Sequence, residues 1–165
     1  MINYKQKAKE LRKGFEGMLP VPIEEIAKRE GIKVKYGSLE GDMSGFLFSQ
    51  KKEIVIGINA FHPPTRQRFT LAHELGHLFL KHQGEFFVDR QVIYRDYRSG
   101  LGIDQSEKEA NGFAAELLMP EDEVRSILLK NDVDLENEED VQQIADIFGV
   151  SKQAMTYRIV NLFNH

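Results

Sequence analysis

The sequence predicts an α+β fold in which a small sheet packs on one long buried helix. Segments in which apolar and polar residues alternate are confined to residues 32–58, and helical patterns precede and follow them. The apolar segment Arg66 to Leu80 comes next, and it is too long and too rich in Leu and Ala for a strand. We therefore expect a mixed or antiparallel sheet resting on this helix, followed by a helical C-terminal part.

The N-terminal elements follow from local patterns. Residues 3–16 place apolar side chains at helical spacing and predict an amphipathic helix. Pro22 suits the first turn of a second helix from Ile23 to Glu30, which Gly31 stops. Three strands are predicted, at residues 32–36, 43–48 and 53–58, the last two joined as a hairpin.

Residues 83–104 show no steady period and predict an extended or partly irregular excursion over the surface. Helical patterns return afterwards, and Pro120 interrupts them. The predicted helices occupy segments near 105–119, 121–131, 138–148 and 151–163. We expect one domain over residues 1–120 and a helical C-terminal subdomain, residues 121–165, packed on it.

Composition limits the classes of function. The chain has 165 residues, 41% of them hydrophobic, which is enough for a real core. It has no cysteine, which excludes disulfides, a thiolate metal site and a cysteine nucleophile. No apolar run approaches a membrane span or a secretion signal, so we expect a cytoplasmic protein without a membrane partner. The formal net charge of -4 argues against broad nucleic-acid binding.

The long buried helix carries the pattern H-E-x-x-H at His73-Glu74-Leu75-Gly76-His77. Residues four apart lie one turn apart on the same helix face, so both imidazoles can reach one Zn²⁺ ion. Glu74 can then accept a proton from a water held beside the metal and pass it to a leaving amine. The pattern therefore predicts zinc ligands at His73 and His77 and a catalytic Glu74. The alternative is that both histidines are satisfied core residues.

A catalytic zinc site requires a third protein ligand and leaves one position for water. The metzincin pattern would place a glycine and a histidine where this chain has Leu80 and Gln83, so that class of site is excluded. His82 points about 180° away from His73 if the helix continues, at 100° per residue. We therefore interpret His82 as a helix-end residue outside the ligand set.

Two glutamates at the start of the 105–119 helix remain as candidates. Glu107 shares its helix face with Ala110, Asn111 and Ala114, whereas Glu109 shares its face with Glu116. The facing pattern favours Glu107 as the third metal ligand, with Glu109 as the alternative. Asn111, one turn beyond Glu107, could hydrogen-bond the outer nitrogen of a zinc-binding histidine and fix its tautomer. Helix capping by Ser106 with Glu109, or by Asp104 with Glu107, is the competing interpretation.

Two blocks of this sequence resemble the ImmA/IrrE family of metallopeptidases. They are RQRFTLAHELGH at residues 66–77, and Glu107 and Asn111 followed by FAAELLMP at residues 113–120. The resemblance covers residues 20–120 well and the ends loosely. It implies a zincin-like fold for the first domain, and it implies Glu107 as third ligand, because the family's ligand stands four residues before the Asn. It also implies cleavage of a specific transcriptional repressor of the helix-turn-helix type, encoded on a prophage or integrative element or acting in a stress response.

The C-terminal helices have the spacing of a helix-turn-helix, with turn-forming Gly149 and a cap at Ser151. Residues 138–165 are nevertheless net acidic, which suits packing or partner docking better than phosphate contacts. The alternative to a peptidase is thus a zinc-binding regulator that binds a repressor or DNA without proteolysis. Residues with lesser claims to a role are Arg66 and Arg68, as surface charges or substrate contacts, and Tyr94 and Tyr97, as packing residues or oxyanion donors.

Overall fold

Helices pack against a four-stranded sheet in the computed structural model of the chain, which describes residues 3–82, 86–89, 105–131 and 133–164. The helices are α1 (Tyr4–Leu11), α2 (Ile23–Arg29), α3 (Pro64–Phe79), α4 (Gln105–Leu118), α5 (Glu121–Lys130), α6 (Glu138–Phe148) and α7 (Lys152–Phe163). The strands are β1 (Lys33–Gly37), β2 (Gly45–Gln50), β3 (Glu53–Asn59) and β4 (Phe86–Asp89). The predicted α+β class is confirmed.

The sheet is mixed, with strand order β1-β3-β2-β4. β1 runs parallel to β3, whereas β2 runs antiparallel to both of its neighbours. β2 and β3 form the predicted hairpin, in which Gln50 pairs with Glu53 and Lys51 turns the chain with a φ of 54°. β4 lies within the segment predicted as an excursion, and residues 83–85 and 90–104, with Tyr94 and Tyr97, fall outside the described residues.

Two helix boundaries differ from the predictions. α1 ends at Leu11 and not near residue 16, since Arg12 caps it and Gly14 adopts a φ of 90°, which no continuing helix allows. α3 begins two residues earlier than its apolar pattern indicates, at Pro64. Proline is favoured in the first helical turn because its fixed φ suits a helix and its missing N–H would have no helical acceptor.

α3 is the central element of the core. Its middle turns are buried on all sides, including the polar residues Thr70, His73, Glu74 and His77. Sheet and helix side chains enclose it, among them Leu47, Ile56, Ile58, Phe113 and Leu117. Each such side chain contributes roughly 1.5–3 kcal/mol on full burial. Ionisable groups on a helix in this position are costly to bury, so their presence requires a chemical explanation.

The C-terminal helices contribute to the same hydrophobic cluster through Ile144, Phe148 and Met155. Between α6 and α7, Gly149 adopts the left-handed conformation (φ 64°), and the Ser151 side chain accepts a hydrogen bond from the amide of Ala154 at 3.1 Å. A turn of three residues, 149–151, therefore joins α6 to α7. None of the described helices has both the length and the apolar character needed to cross a bilayer.

Candidate metal centre

His73 and His77 meet on one face of α3. Their Nε2 atoms lie 3.0 Å apart, and the two side chains are only 1% and 3% exposed. The four-residue spacing of the motif explains this contact, because one helical turn brings such residues side by side. Both imidazoles therefore present the same ring nitrogen to one point.

α4 delivers a carboxylate to that point. The Oε2 atom of Glu107 lies 3.3 Å from Nε2 of His73, and its Oε1 atom lies 3.2 Å from Nε2 of His77. Glu107 belongs to the first turn of α4, and α4 packs against α3. Of the described His, Asp and Glu residues, these three form the group whose ligand atoms could hold a metal ion.

The donor set fits a zinc ion. Zinc ligated tetrahedrally by histidine and carboxylate, at bond lengths near 2.1 Å, has its donor atoms about 3.4 Å apart. The separations of 3.0, 3.2 and 3.3 Å between these nitrogens and oxygens lie close to that value. Two histidines and one carboxylate are also a set in which the fourth position is left to a water molecule or a substrate.

The protonation states suit a cation. Burial lowers the pKa of His77, which favours the neutral imidazole that a metal requires. Close contact with the His73 and His77 side chains holds the pKa of Glu107 far below its ordinary value, so this carboxylate is ionised. Burial thus favours a neutral nitrogen donor at His77, and Glu107 supplies a negative charge.

The outer nitrogen of His73 is also held. Its Nδ1 atom lies 3.0 Å from Oδ1 of Asn111, which stands one turn after Glu107 on α4. An amide oxygen can only accept, so Nδ1 of His73 carries the hydrogen and Nε2 keeps its lone pair. This is the contact expected of a residue that fixes the tautomer of a metal ligand.

His82 departs from its predicted direction. α3 ends at Phe79, and Lys81 adopts a φ of 57°, so the chain turns back and the amide of His82 donates to the carbonyl of His77 at 3.1 Å. Nδ1 of His82 then lies 2.9 Å from Nδ1 of His77. The 180° separation assumed that the helix continues, and that assumption was wrong.

Glu109 contacts His82 and not the two motif histidines. Its Oε2 atom lies 3.3 Å from Nε2 of His82, and its Oε1 atom accepts a hydrogen bond from the side chain of Gln105 at 3.0 Å. Hydrogen bonds from Gln105 and His82 lower the pKa of Glu109. Ser106 lies inside α4, which begins at Gln105, so the capping box proposed for Ser106 and Glu109 is not formed.

Glu74 lies fully buried in α3, next to His73 in sequence. The neighbouring strand passes close to its carboxylate: a Cβ atom added at Gly45 would lie 3.7 Å from Oε1 of Glu74. Burying a carboxylate here costs free energy that no packing role returns. Its place in the sequence, between the candidate ligands His73 and His77, makes Glu74 a candidate for acid–base chemistry.

A family assignment now follows from comparison with known proteins. Residues 27–160 match the family model Peptidase_M78, described as the IrrE N-terminal-like domain. The chain belongs to this metallopeptidase family. Membership confirms the ImmA/IrrE resemblance drawn from the two sequence blocks, and it implies that a metal ion belongs to the site.

This member of the IrrE-like family is similar to two curated proteins, in each case over part of the chain. The chain is 40% identical over 74 residues to the radiation response metalloprotease IrrE of Deinococcus radiodurans, a match that covers 45% of this chain and 22% of that protein. It is 31% identical over 97 residues to the uncharacterized immunity region protein 2 of Bacillus phage phi105, covering 59% of this chain and 58% of the phage protein. The chain thus spans about a fifth of the first relative and somewhat more than half of the second.

The two arginines that precede the H-E-x-x-H motif of this IrrE-like chain form hydrogen bonds with other parts of the chain. Arg68 donates to the carbonyls of Gly149 at 3.1 Å and Val21 at 2.9 Å. Arg66 donates to the hydroxyl of Ser44 at 3.0 Å. Arg68 therefore joins α3 to the α6–α7 turn, and both arginines, predicted as surface charges or substrate contacts, are half-buried and hydrogen-bonded within the chain.

Sequence reasoning about this family member missed the part played by His82 and Glu109. No glycine or proline stands at residues 80–82 to mark the end of α3. A helix that stops without such a marker cannot be distinguished by pattern from one that continues. The direction of His82 could therefore be obtained only from the folded chain.

Proposed function

We propose that this chain is a zinc-dependent endopeptidase that cleaves a specific transcriptional repressor. The observation that carries the proposal is the convergence of the buried His73 and His77 with the partly exposed Glu107, whose nitrogen and oxygen atoms approach to 3.0–3.3 Å. Membership of a metallopeptidase family supports the class of reaction. The donor set and its spacing support zinc as the metal.

The residues have separate tasks in this proposal. His73, His77 and Glu107 hold the zinc ion, and Asn111 holds His73 in the tautomer that binds it. When bound, zinc polarises the carbonyl of the scissile peptide and lowers the pKa of a water molecule beside it. Glu74 takes the proton of that water as general base, and the oxygen of the water bonds to the scissile carbonyl carbon. Glu74 then delivers the proton, as general acid, to the leaving amine as the C–N bond breaks.

The architecture in this proposal is zincin-like. Residues 1–120 form the peptidase domain, and residues 121–165 form a helical subdomain, resembling a helix-turn-helix, that packs on it. Contacts across this division support the packing: Arg158 of α7 forms a buried ion pair with Glu116 of α4 and donates to the carbonyl of Met119 at 2.9 Å.

DNA contact by the C-terminal helices is disfavoured. Of the basic residues that could meet phosphates there, Arg158 is buried against Glu116, and Lys152 is paired with Glu138 at 2.6 Å. The charged residues in the first turn of α6, Glu138, Glu139 and Asp140, are all acidic. Binding to DNA requires unpaired positive charge on one face, so we assign these helices to packing or to partner docking.

The relatives support the proposed substrate class. One is named as a phage immunity region protein and the other as a radiation response metalloprotease. Immunity and stress responses are commonly governed by repressors, and cleavage of a repressor would relieve such control irreversibly. We place the reaction in the cytoplasm, where such a repressor acts.

The deciding experiment compares the wild type with Glu74→Gln. Each protein is loaded with Zn²⁺, its metal content is measured, and it is incubated with the repressor encoded nearest its gene; the products are weighed by mass spectrometry. We expect zinc in both proteins and cleavage by the wild type alone, because the amide keeps the shape of Glu74 and cannot accept the proton. Glu10→Gln, a change on the exposed face of α1, serves as the matched control and should cleave normally.

Two outcomes would contradict the proposal. A wild type that binds no metal would remove the basis for the whole site. Cleavage by Glu74→Gln at the wild-type rate would remove Glu74 from the chemistry and leave the reaction without a base.

A further inference from the structure

A chain of side chains leads away from the metal centre on the side of His77. It runs from Nδ1 of His77 to Nδ1 of His82, which are 2.9 Å apart, and from Nε2 of His82 to Oε2 of Glu109, 3.3 Å away. The other oxygen of Glu109 is fixed by Gln105 at 3.0 Å. We call His82 and Glu109 the relay.

The backbone places the relay. The turn at Lys81 returns the chain toward α3, and the amide of His82 donates to the carbonyl of His77 at 3.1 Å. The rings of His77 and His82 then meet edge to face, with centroids 5.0 Å apart. His82 is only 9% exposed and Glu109 only 19% exposed, so water competes weakly for these contacts.

Hydrogen-bond chemistry gives the relay a direction. An ionised carboxylate only accepts, so the Nε2 atom of His82 must carry a hydrogen to bond Glu109. A neutral His82 then has a lone pair on Nδ1, which accepts from the Nδ1–H group of His77. Neutral His77 is left with its lone pair on Nε2, the atom that faces His73 and Glu107.

The two candidate histidine ligands are thus held in the same way from α4. Asn111 contacts Nδ1 of His73 directly, at 3.0 Å, and Glu109 reaches Nδ1 of His77 through His82. Groups that hold the outer nitrogen of a metal-binding histidine set its tautomer and orientation, and their loss costs roughly 10–100-fold in metal affinity.

We infer that His82 and Glu109 are positioning residues that fix His77 in the Nδ1–H tautomer and so prepare its Nε2 atom for the metal. The inference rests on the proposed zinc site, but its mechanism resides in the protein's own hydrogen bonds. Neither residue is proposed as a metal ligand, because His82 faces the outer nitrogen of His77 and Glu109 contacts His82.

Zinc affinity provides the first test, measured with Zn²⁺ alone against a competing chelator and without substrate. His82→Phe keeps a ring in place and removes both nitrogens, and Glu109→Leu removes the acceptor; each should lower the affinity about 10–100-fold. Glu109→Gln retains an acceptor oxygen and should recover part of the loss. The double variant His82→Phe/Glu109→Leu should be no weaker than His82→Phe, because Glu109 acts only through His82.

The tautomer provides the second test, which needs no metal. Histidine nitrogen NMR on the metal-free protein at neutral pH should show the Nδ1–H tautomer for His77, and that preference should weaken in His82→Phe. His62→Phe is the matched control, since His62 lies before α3 and contacts neither residue of the relay. Thermal unfolding of each metal-free variant shows whether it has folded.

The outcomes separate this inference from the proposed function. Wild-type zinc affinity in folded His82→Phe, additive losses in the double variant, or His77 in the Nε2–H tautomer would each overturn the relay. A wild type that binds zinc and shows the predicted tautomer but cleaves no repressor would leave the relay standing and remove the proposed activity.

Discussion

Gly76 of α3 lies directly against Ala110 of α4. A Cβ atom added at Gly76 would stand 3.0 Å from Cα and 3.1 Å from the carbonyl oxygen of Ala110, so the two helix backbones touch. Glu107 and Asn111 flank Ala110, one on each side of this contact. The glycine inside the H-E-x-x-H motif therefore allows the second helix to bring its carboxylate and its amide to the two histidines.

Gly76→Ala should destabilise the protein and weaken zinc binding. Alanine gains about 1 kcal/mol of helix propensity over glycine, but overpacking costs roughly 1–3 kcal/mol where backbone atoms cannot yield. We expect a net loss of up to about 2 kcal/mol in the free energy of unfolding of the metal-free protein, measured in urea, together with lower zinc affinity. Gly37→Ala is the control, because a Cβ atom there meets nothing within 4 Å. A more stable Gly76→Ala variant with unchanged zinc affinity would refute the close-contact explanation.

Glu107→Gln should reduce zinc affinity more than Glu109→Leu does. The first change removes a negative donor that lies 3.2–3.3 Å from both imidazole nitrogens, whereas the second acts only through His82. The loss for Glu107→Gln should therefore exceed the roughly 10–100-fold typical of residues behind the ligands. Competition with a chelator measures the zinc affinity of both variants. Normal zinc affinity in Glu107→Gln, together with loss of zinc in a Glu109 variant, would show that Glu109 and not Glu107 is the third metal ligand.

Zinc affinity should remain high down to pH values below 6.5. Burial lowers the pKa of His77 from its ordinary 6.5, and contact with the histidines lowers that of Glu107 from 4.5, so protons displace the metal only in more acidic solution. In the metal-free protein, both groups bind protons less readily when folded than when unfolded. Stability should thus begin to decline as the pH falls below about 6.5 because of His77, and decline further below about 4.5 because of Glu107. Titration of zinc affinity between pH 5 and pH 8 is the measurement, and a decline centred above pH 7 would contradict it.

Arg158→Met should destabilise the fold strongly. Arg158 and Glu116 are each 8% exposed and form an ion pair, and removal of one member of a buried pair costs about 3–5 kcal/mol. The double variant Arg158→Met/Glu116→Gln should recover part of this loss, because no unpaired charge stays buried. Urea unfolding measures all three proteins, with Lys152→Ala, from an exposed pair, as a control of little expected effect. Equal stability of Arg158→Met and the wild type would show that α7 does not depend on this pair.

The sequence by itself determined the elements and the chemistry-bearing motif. Alternation and helical spacing are local properties, so the β2–β3 hairpin, α3 and the C-terminal helices could be predicted within a few residues. The four-residue spacing of His73 and His77 likewise dictates that they meet on one turn.

Only the tertiary structure decided which side chains gather around those histidines. α4 approaches α3 because Gly76 leaves room at Ala110, and this packing brings Glu107 to the Nε2 atoms and Asn111 to Nδ1 of His73. The direction of His82 depends on where α3 stops and on the turn at Lys81, which no glycine or proline announces. Contacts between distant segments arise from packing and not from local spacing, and for that reason the relay from His77 to Glu109 could not be predicted from the sequence.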